Sequence, residues 1–280
     1  MGYRFRIVNV FTALGDRLSG NPLCVFEDAR GLSTEQMQAF ARQLNLSETT
    51  FVLPSERATA QVRIFTPGFE MPFAGHPTLG TAHVVRALRG GDKLALEMKA
   101  GIVDVTARGD AWTLRAAKAP QTRPAPARIV LARMLSLSDD AVTDEPLWVN
   151  TGVEQLVIPV RTAADVRAAK PVPALIEEHG FSDTRDEAMA YVWAREGDHL
   201  LVRFFFTQHC AVIEDPATGS ACANLGGWML ATGKPLPVNE TLHQGEAVHR
   251  PSRLGLRVDA DHHIYVTGSA IELGRGELTL

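Results

Sequence analysis

A short motif that occurs twice in the chain constrains its fold more than any other feature. Residues 76–82 read His-Pro-Thr-Leu-Gly-Thr-Ala, and residues 215–221, 139 positions later, read Asp-Pro-Ala-Thr-Gly-Ser-Ala. A predicted strand that starts with an arginine, Arg63 or Arg203, precedes each copy by a similar distance. A unit that recurs in this way indicates a repeated supersecondary structure. The sequence therefore predicts two similar halves, each containing a strand, a loop of matched length and a helix.

The length of the chain fits this division. Its 280 residues suit two cores of about 120–140 residues each better than one core. Residues 116–126 contain three prolines and are typical of a linker. We predict an α+β protein with a first half at 1–117, a linker at 118–126 and a second half at 127–265. The last strand, at about 270–280, is expected to return to the first half.

Charge and cysteine content exclude several classes of protein. The 28 basic and 32 acidic residues are mixed along the chain, which argues against nucleic acid or an anionic membrane surface as a partner. No apolar run is long enough to span a membrane, and the strand-like start lacks the apolar core of a secretory signal. Three widely spaced cysteines, Cys24, Cys210 and Cys222, favour free thiols in a reducing compartment. We expect a cytoplasmic protein.

The repeated motif also predicts a binding site. Its prolines suit the first turns of two helices, expected at about 77–88 and 216–231. A glycine early in each helix costs about 1 kcal/mol relative to alanine, which indicates close approach of another group to the backbone. Free N–H groups and the positive end of the helix dipole favour an anion at such a helix start. Two helix starts that face each other would hold a small carboxylate without a metal or a cofactor.

Several polar side chains of the motifs are candidates for contact with that ligand. Thr81 and Ser220 supply hydroxyl groups, and His76 and Asp215 supply polar groups before the expected first turns. No cysteine and histidine spacing matches a zinc site, and the glycine pairs do not follow the pattern of a dinucleotide site. We therefore predict no metal and no cofactor.

A proton-transfer enzyme also needs a base, and Glu48 is the candidate. It lies in Asn45-Leu-Ser-Glu-Thr-Thr-Phe-Val, a polar segment between a predicted helix and an apolar strand. The alternative interpretation is a solvated loop acid that has no chemical role. The second half has no equivalent acid, and one carboxylate suits a single-base proton shift better than a two-base inversion. An epimerase that uses His76 or Asp215 as a second base, and a non-catalytic binder of small anions, remain open.

Three long segments resemble the phenazine biosynthesis PhzF-like family, which shares the diaminopimelate-epimerase fold. They are residues 45–52, residues 73–82 (Phe-Ala-Gly-His-Pro-Thr-Leu-Gly-Thr-Ala) and residues 214–226 (Glu-Asp-Pro-Ala-Thr-Gly-Ser-Ala-Cys-Ala-Asn-Leu-Gly). The resemblance implies two pseudo-symmetric halves, each a barrel-like sheet around a central helix, with the active site between them. It also implies a homodimer.

The resemblance assigns roles to individual residues. Glu48 falls where the family carries its acid/base glutamate. The positions that match its substrate contacts are His76, Asp215 and Ser220, with backbone N–H groups from Gly75 and Gly219. The related epimerases use two cysteines at the helix starts, and their absence here favours isomerisation. The best-known activity of the family moves a proton within the ring of trans-2,3-dihydro-3-hydroxyanthranilate.

Overall fold

The chain folds into two compact units in a computed structural model. The structure describes residues 2–13, 15–208 and 211–280. The first unit comprises the chain up to Arg115 together with Thr267–Leu280, and the second comprises Ala116–Val266. Cys210, one of the three cysteines expected to be free, lies outside the described residues. Among the helices that the structure describes, none is both long and apolar enough to cross a membrane.

The first unit is a closed sheet around one helix. Its elements are β1 (Gly2–Val10), β2 (Asn21–Phe26), α1 (Thr34–Leu44), β3 (Glu48–Leu53), β4 (Ala60–Phe65), β5 (Glu70–Met71), α2 (Gly75–Arg89), β6 (Lys93–Met98), β7 (Gly101–Arg108) and β8 (Ala111–Arg115). The long last strand of the chain, Ile264–Thr279 and numbered β18 below, pairs with both β1 and β8 and so closes the ring. Helix α2 contacts strands on several sides of this ring, and α1 packs on β3 and β4.

Glycine inside α2 lets the helix lie against the strands that surround it. A Cβ atom on Gly80 would lie 2.6 Å from Leu23 Cδ2 and 2.8 Å from Val10 Cγ2. Both of these side chains are fully buried. The close approach that the sequence predicts at this glycine is therefore an approach of core side chains, not of a ligand.

We expect Gly80→Ala to destabilise the protein although alanine is the better helix former. The helix gains about 1 kcal/mol from the substitution. Overpacking of a filled core commonly costs about 1–3 kcal/mol. A net loss of stability in Gly80→Ala would therefore indicate tight packing around this residue. Thermal unfolding of the variant measures it. Gly274→Ala is the matched control because a Cβ there meets nothing within 4 Å. A melting temperature at or above that of the parent would contradict the packing argument.

The second unit repeats this architecture. Its elements are β9 (Gln121–Pro124), α3 (Arg128–Met134), β10 (Leu147–Asn150), β11 (Glu154–Pro159), α4 (Ala163–Ala168), α5 (Pro173–His179), β12 (Phe181–Ser182), β13 (Glu187–Glu196), β14 (His199–Gln208), β15 (Ala211–Asp215), α6 (Gly219–Ala231), β16 (Val238–Gln244), the 3₁₀ turn Glu246–Val248, β17 (Ser252–Val258) and the start of β18. Helix α6 is the central helix and contacts β9, β10, β11 and β17.

The order and direction of strand pairing are the same in both units. In the first unit β2 and β3 are parallel, β3 and β4 antiparallel, β4 and β6 parallel, and β6 and β7 antiparallel. In the second unit the same relations hold for β11 with β13, β13 with β14, β14 with β16, and β16 with β17. The fold class is therefore α+β, with two pseudo-symmetric barrel-like units that each enclose a helix.

The strand register corrects the alignment of the two halves. Phe65 pairs with Glu70 between β4 and β5, and Phe205 pairs with Glu214 between β14 and β15. Each central helix begins five residues after that glutamate, at Gly75 or at Gly219.

In this register, the pairs of residues that are equivalent between the two units differ from the pairs that the shared motif suggests. Gly75 corresponds to Gly219, His76 corresponds to Ser220, and Asp215 corresponds to Met71. The repeat is real, but its two prolines are five residues out of register. Pro77 lies inside the first turn of α2, whereas Pro216 precedes α6 in a loop, so the expected helix start at Pro216 is wrong.

Two other segments differ from the expectation. Residues 121–124, assigned to the linker because of their prolines, form β9 and pair with β10. The last strand, expected at about 270–280, is longer than predicted: β18 begins at Ile264 and has 16 residues. Two of its glycines leave room for aromatic rings: a Cβ on Gly268 would lie 2.1 Å from Phe11, and one on Gly276 would lie 2.8 Å from Phe5.

Candidate functional site

The segment that carries Glu48 turns the chain from a helix into a strand. Helix α1 is capped at its start by Ser33 and ends at Asn45, which adopts a left-handed conformation with φ of 52°. Asparagine tolerates this conformation better than most residues. Three residues later, Glu48 begins β3, where it lies opposite Leu23 of the parallel strand β2. Glu48 is thus the first residue of β3, a strand in the sheet of the first unit.

Glu48 and His76 form a close pair within the first unit. The distance between Glu48 Oε2 and His76 Nδ1 is 3.2 Å, and the two side chains are only 16% and 4% exposed. Glu48 Oε2 is buried from solvent and makes no hydrogen bond to the described residues. A solvated loop acid would be exposed, so the geometry does not support that alternative interpretation.

The start of α2 adds positive potential beside this pair. Ala74 precedes the helix and offers no side chain that could cap it. Gly75 and His76 are the first two helical residues, so their backbone N–H groups lie at the positive end of the helix dipole. Thr81 is not part of this region. Its hydroxyl is buried and lies 2.8 Å from that of Thr50, so Thr81 already has a partner inside the unit and its contact with a ligand stays a prediction.

The second unit has no carboxylate at the position equivalent to Glu48. Thr49 pairs with Phe65, and Ala190 pairs with the corresponding Phe205. The residue that corresponds to Glu48 is therefore Met189, which is fully buried. This agrees with the expectation from sequence that only the first half carries the acid.

Asp215 and the start of α6 are joined by hydrogen bonds. The Thr218 hydroxyl donates to Asp215 Oδ2 at 2.5 Å. The buried side chain of Gln244 accepts from the Thr218 backbone N–H at 3.2 Å and donates to the Asp215 carbonyl at 2.9 Å. Asp215 is the last residue of β15 and is not the residue before the helix, which is Thr218. Its carboxylate is nevertheless tied to the helix start.

Ser220 is the second residue of α6 and belongs to another hydrogen-bonded group. Gln155 Nε2 donates to Ser220 Oγ at 2.9 Å. Asn224, one turn further along α6, donates to Gln155 Oε1 at 2.8 Å. Gln155, Asn224 and Gln244 are all buried and were missed by the sequence analysis. For Gln155 and Asn224 the available signal was an amide side chain inside an otherwise apolar strand or helix, because such a group must find partners when it is buried.

The two described cysteines are parts of the core. Cys24 and Cys222 are free and fully buried. Desolvation raises the pKa of Cys24 to about 12 and raises the pKa of Cys222 as well. Neither is a thiolate at neutral pH, so neither acts as a nucleophile there, and both are free thiols as the sequence predicts.

We expect both thiols to resist alkylation in the folded protein. A Cys210→Ser variant removes the third cysteine, and iodoacetamide at pH 8 should then modify neither thiol until denaturant is added. Mass spectrometry counts the carbamidomethyl groups: none in the native protein and two after unfolding. A group added to native protein on the timescale of a free thiol would show that one cysteine is accessible and ionised.

One group of possible metal ligands occurs among the described residues. The side chains of Asp259, Asp261 and His263 lie within 4.8 Å of one another in the turn between β17 and β18. Asp259 Oδ1 already accepts the backbone N–H groups of Asp261 and His263, which is the ordinary hydrogen bonding of such a turn. The turn geometry is sufficient to explain why these residues lie together.

Comparison with known proteins places the chain in a family. The family model for phenazine biosynthesis-like proteins, PhzC-PhzF, matches residues 8–276. An uncharacterized isomerase of Pasteurella multocida is 38% identical over 280 residues, covering 99% of this chain and 94% of the relative. The trans-2,3-dihydro-3-hydroxyanthranilate isomerase of Pseudomonas aeruginosa is 34% identical over 266 residues, covering 92% and 91%.

The fold agrees with this assignment. The crystal structure of a PhzF-family phenazine biosynthesis protein from Bacillus anthracis matches the whole of both chains with a TM-score of 0.86 at 24% identity. The chain therefore belongs to the PhzC-PhzF, or phenazine biosynthesis-like, family of isomerases.

Proposed function

We propose that the protein is a cofactor-independent isomerase that moves a proton on a small carboxylic acid, with Glu48 as its single acid/base. The observation that carries this proposal is the contact of Glu48 with His76 at the uncapped start of α2. The oxygen of Glu48 nearest the imidazole makes no hydrogen bond to the described residues, so no donor of the protein competes there with a substrate proton.

The proton shift needs one base on one face of the substrate. Glu48 removes a proton from one carbon, and the negative charge passes to an adjoining carbonyl or carboxylate oxygen. The N–H groups of Gly75 and His76 at the positive end of α2 stabilise such charge as it develops. The protonated Glu48 then returns the proton to a second carbon on the same face. Positioned acid/base groups of this kind commonly contribute about 10²–10⁴-fold in rate.

The second unit supplies substrate contacts in this proposal. Gly219 offers a backbone N–H at the start of α6, Ser220 offers a hydroxyl, and Asp215 offers a carboxylate that can hold an amino or hydroxyl group. A two-base epimerase would need a second base, and Met189 at the position equivalent to Glu48 cannot supply it. The other candidates for a second base are His76, which contacts Glu48 itself, and Asp215, whose carboxylate accepts from the Thr218 hydroxyl, so we propose isomerisation first and let the stereochemistry of the product decide against inversion.

We propose trans-2,3-dihydro-3-hydroxyanthranilate as the first substrate to test. Relatives at 31–34% identity carry the name of its isomerase. The molecule has the required features: it is compact, carries a carboxylate and has an acidic ring proton. By analogy with the family we also propose that the protein acts as a homodimer, which light scattering of the purified protein tests directly.

The experiment is an NMR assay in D₂O with a chelator present and no cofactor added. We expect conversion of trans-2,3-dihydro-3-hydroxyanthranilate, or deuterium exchange into a related small cyclic or amino acid. Inversion of a stereocentre without migration of a double bond would instead identify an epimerase. Absence of both conversion and exchange across the panel, with protein shown to be folded, would rule out the isomerase proposal.

A further inference from the structure

A chain of hydrogen bonds leads from the buried backbone of the second unit to the hydroxyl of Ser220. It begins at the backbone N–H of Thr151, which donates to Asn224 Oδ1 at 2.9 Å. Asn224 Nδ2 donates to Gln155 Oε1 at 2.8 Å, and Gln155 Nε2 donates to Ser220 Oγ at 2.9 Å. Thr151, Gln155 and Asn224 are at least 95% buried, whereas Ser220 is only partly buried. Ser220 is therefore the accessible end of this series of hydrogen bonds.

The direction of every bond in this chain follows from its first member. A backbone N–H can only donate, so the group of Asn224 that faces Thr151 must be its oxygen. The Asn224 amide nitrogen then faces Gln155, where it donates to Oε1 and also to the Val153 carbonyl at 2.8 Å. Gln155 must in turn present its nitrogen to Ser220. None of these amides can rotate without placing two donors or two acceptors against each other.

The fixed direction determines what Ser220 can bind. Its oxygen accepts from Gln155, so its hydroxyl hydrogen remains for another acceptor, and the described residues provide none. A serine without this partner could turn its hydroxyl to accept or to donate. Here the donating arrangement is enforced, at the start of a helix whose dipole also favours negative charge. The site around Ser220 therefore prefers an oxygen anion to an ammonium group.

We propose that Gln155 and Asn224 are positioning residues that hold the Ser220 hydroxyl as a hydrogen-bond donor to a carboxylate or enolate oxygen of the substrate. The inference rests on the proposed function in one respect only, that Ser220 contacts the substrate. Neither amide needs to touch the ligand, because each acts through the next member of the chain.

The test reverses the direction of these hydrogen bonds with a substitution that keeps the shape of the side chain. Asn224→Asp keeps the acceptor for Thr151 but replaces the donor to Gln155 by an acceptor. Gln155 must then turn its nitrogen toward position 224 and its oxygen toward Ser220, which draws the Ser220 hydrogen inward. The dissociation constant of anthranilate, a fluorescent aromatic carboxylate, should rise about 10- to 100-fold at pH 8, as expected when a hydrogen bond to a charged group is lost.

The pH dependence separates positioning from a structural role. When the pH falls, the introduced carboxyl takes up a proton and can donate to Gln155 again. The ratio of the dissociation constants of Asn224→Asp and the parent should therefore fall toward one, and this ratio cancels titration of the ligand itself. Ser220→Ala is the second control, since without the hydroxyl the Asn224→Asp substitution should change anthranilate binding less than about twofold.

Several results would overturn the proposal. They are equal effects of Asn224→Asp in the Ser220 and Ser220→Ala backgrounds, a ratio that does not change with pH, and no anthranilate binding to the parent protein at millimolar concentration. If Asn224→Asp does not fold, Gln155→Glu takes its place. A carboxylate at position 155 replaces the donor to Ser220 by an acceptor, and this variant is likewise compared with and without Ser220→Ala. Anthranilate is a binding probe that needs no turnover, so an active Glu48→Gln variant would end the proposed function without affecting this result.

Discussion

Replacing Glu48 by glutamine is expected to lower turnover by about 10²–10⁴-fold, the usual loss for a general acid/base. The amide keeps the size of the side chain and loses the oxygen that takes up and returns the proton. Binding should change little because the backbone N–H groups and the Ser220 hydroxyl, which we propose as ligand contacts, are unaltered. The comparison therefore needs kcat and the dissociation constant of anthranilate for the parent and the variant.

The control is Glu56→Gln, the same chemical change at an exposed position. It should leave both quantities at parent values. Full activity of Glu48→Gln in the assay that converts the parent's substrate would end the role of Glu48. A large loss of binding with kcat preserved would instead make Glu48 a substrate contact. Both results are distinguishable from misfolding by the thermal unfolding of the two variants.

The sequence analysis identified the two halves because the Arg63 and Arg203 strands and the helices that follow them recur. It placed the second central helix too early because Pro-x-x-Gly describes a local preference and not a register. Proline fixes its own φ and lacks an N–H, which suits both the first turn of a helix and the loop before it. Only the pairing of β15 with β14 shows that Asp215 corresponds to Met71. Pairing partners distant in the chain are not encoded in any short motif.

The residues of the candidate site differ in how far the sequence predicts them. Glu48 and His76 belong to polar segments beside apolar ones, and such segments attract attention in a sequence. Gln155 lies inside an apolar strand and Asn224 inside an apolar helix, so both resemble isolated exceptions to a core pattern. Their meaning depends on a hydrogen bond between residues 69 positions apart. The structure was needed to show that these exceptions satisfy one another.

Arg203, one of the two arginines that mark the repeat, is the position where we expect a substitution to lower stability most. Arg203 Nη2 lies 2.6 Å from Glu214 Oε2, and the two side chains are 14% and 8% exposed. The same guanidinium donates to three carbonyl groups at the end of α4, those of Val166, Arg167 and Ala169. Loss of one partner leaves a buried charge without compensation, which commonly costs about 3–5 kcal/mol.

We expect Arg203→Met to lower the free energy of unfolding by about this amount, since it leaves the Glu214 carboxylate and the three carbonyls without their donor. Urea unfolding followed by tryptophan fluorescence measures the change, because three of the four tryptophans, Trp148, Trp193 and Trp228, lie in the second unit. Arg63→Met is the matched control. The corresponding pair with Glu70 is 22% and 21% exposed, and the other hydrogen-bond partner of Arg63 among the described residues is the Thr34 hydroxyl and not a helix carbonyl, so its loss should be smaller. Glu214→Leu added to Arg203→Met should recover part of the stability by removing the unpaired carboxylate. A loss below about 1 kcal/mol in Arg203→Met, the range of an exposed ion pair, would show that solvent reaches the pair and that burial does not govern its contribution.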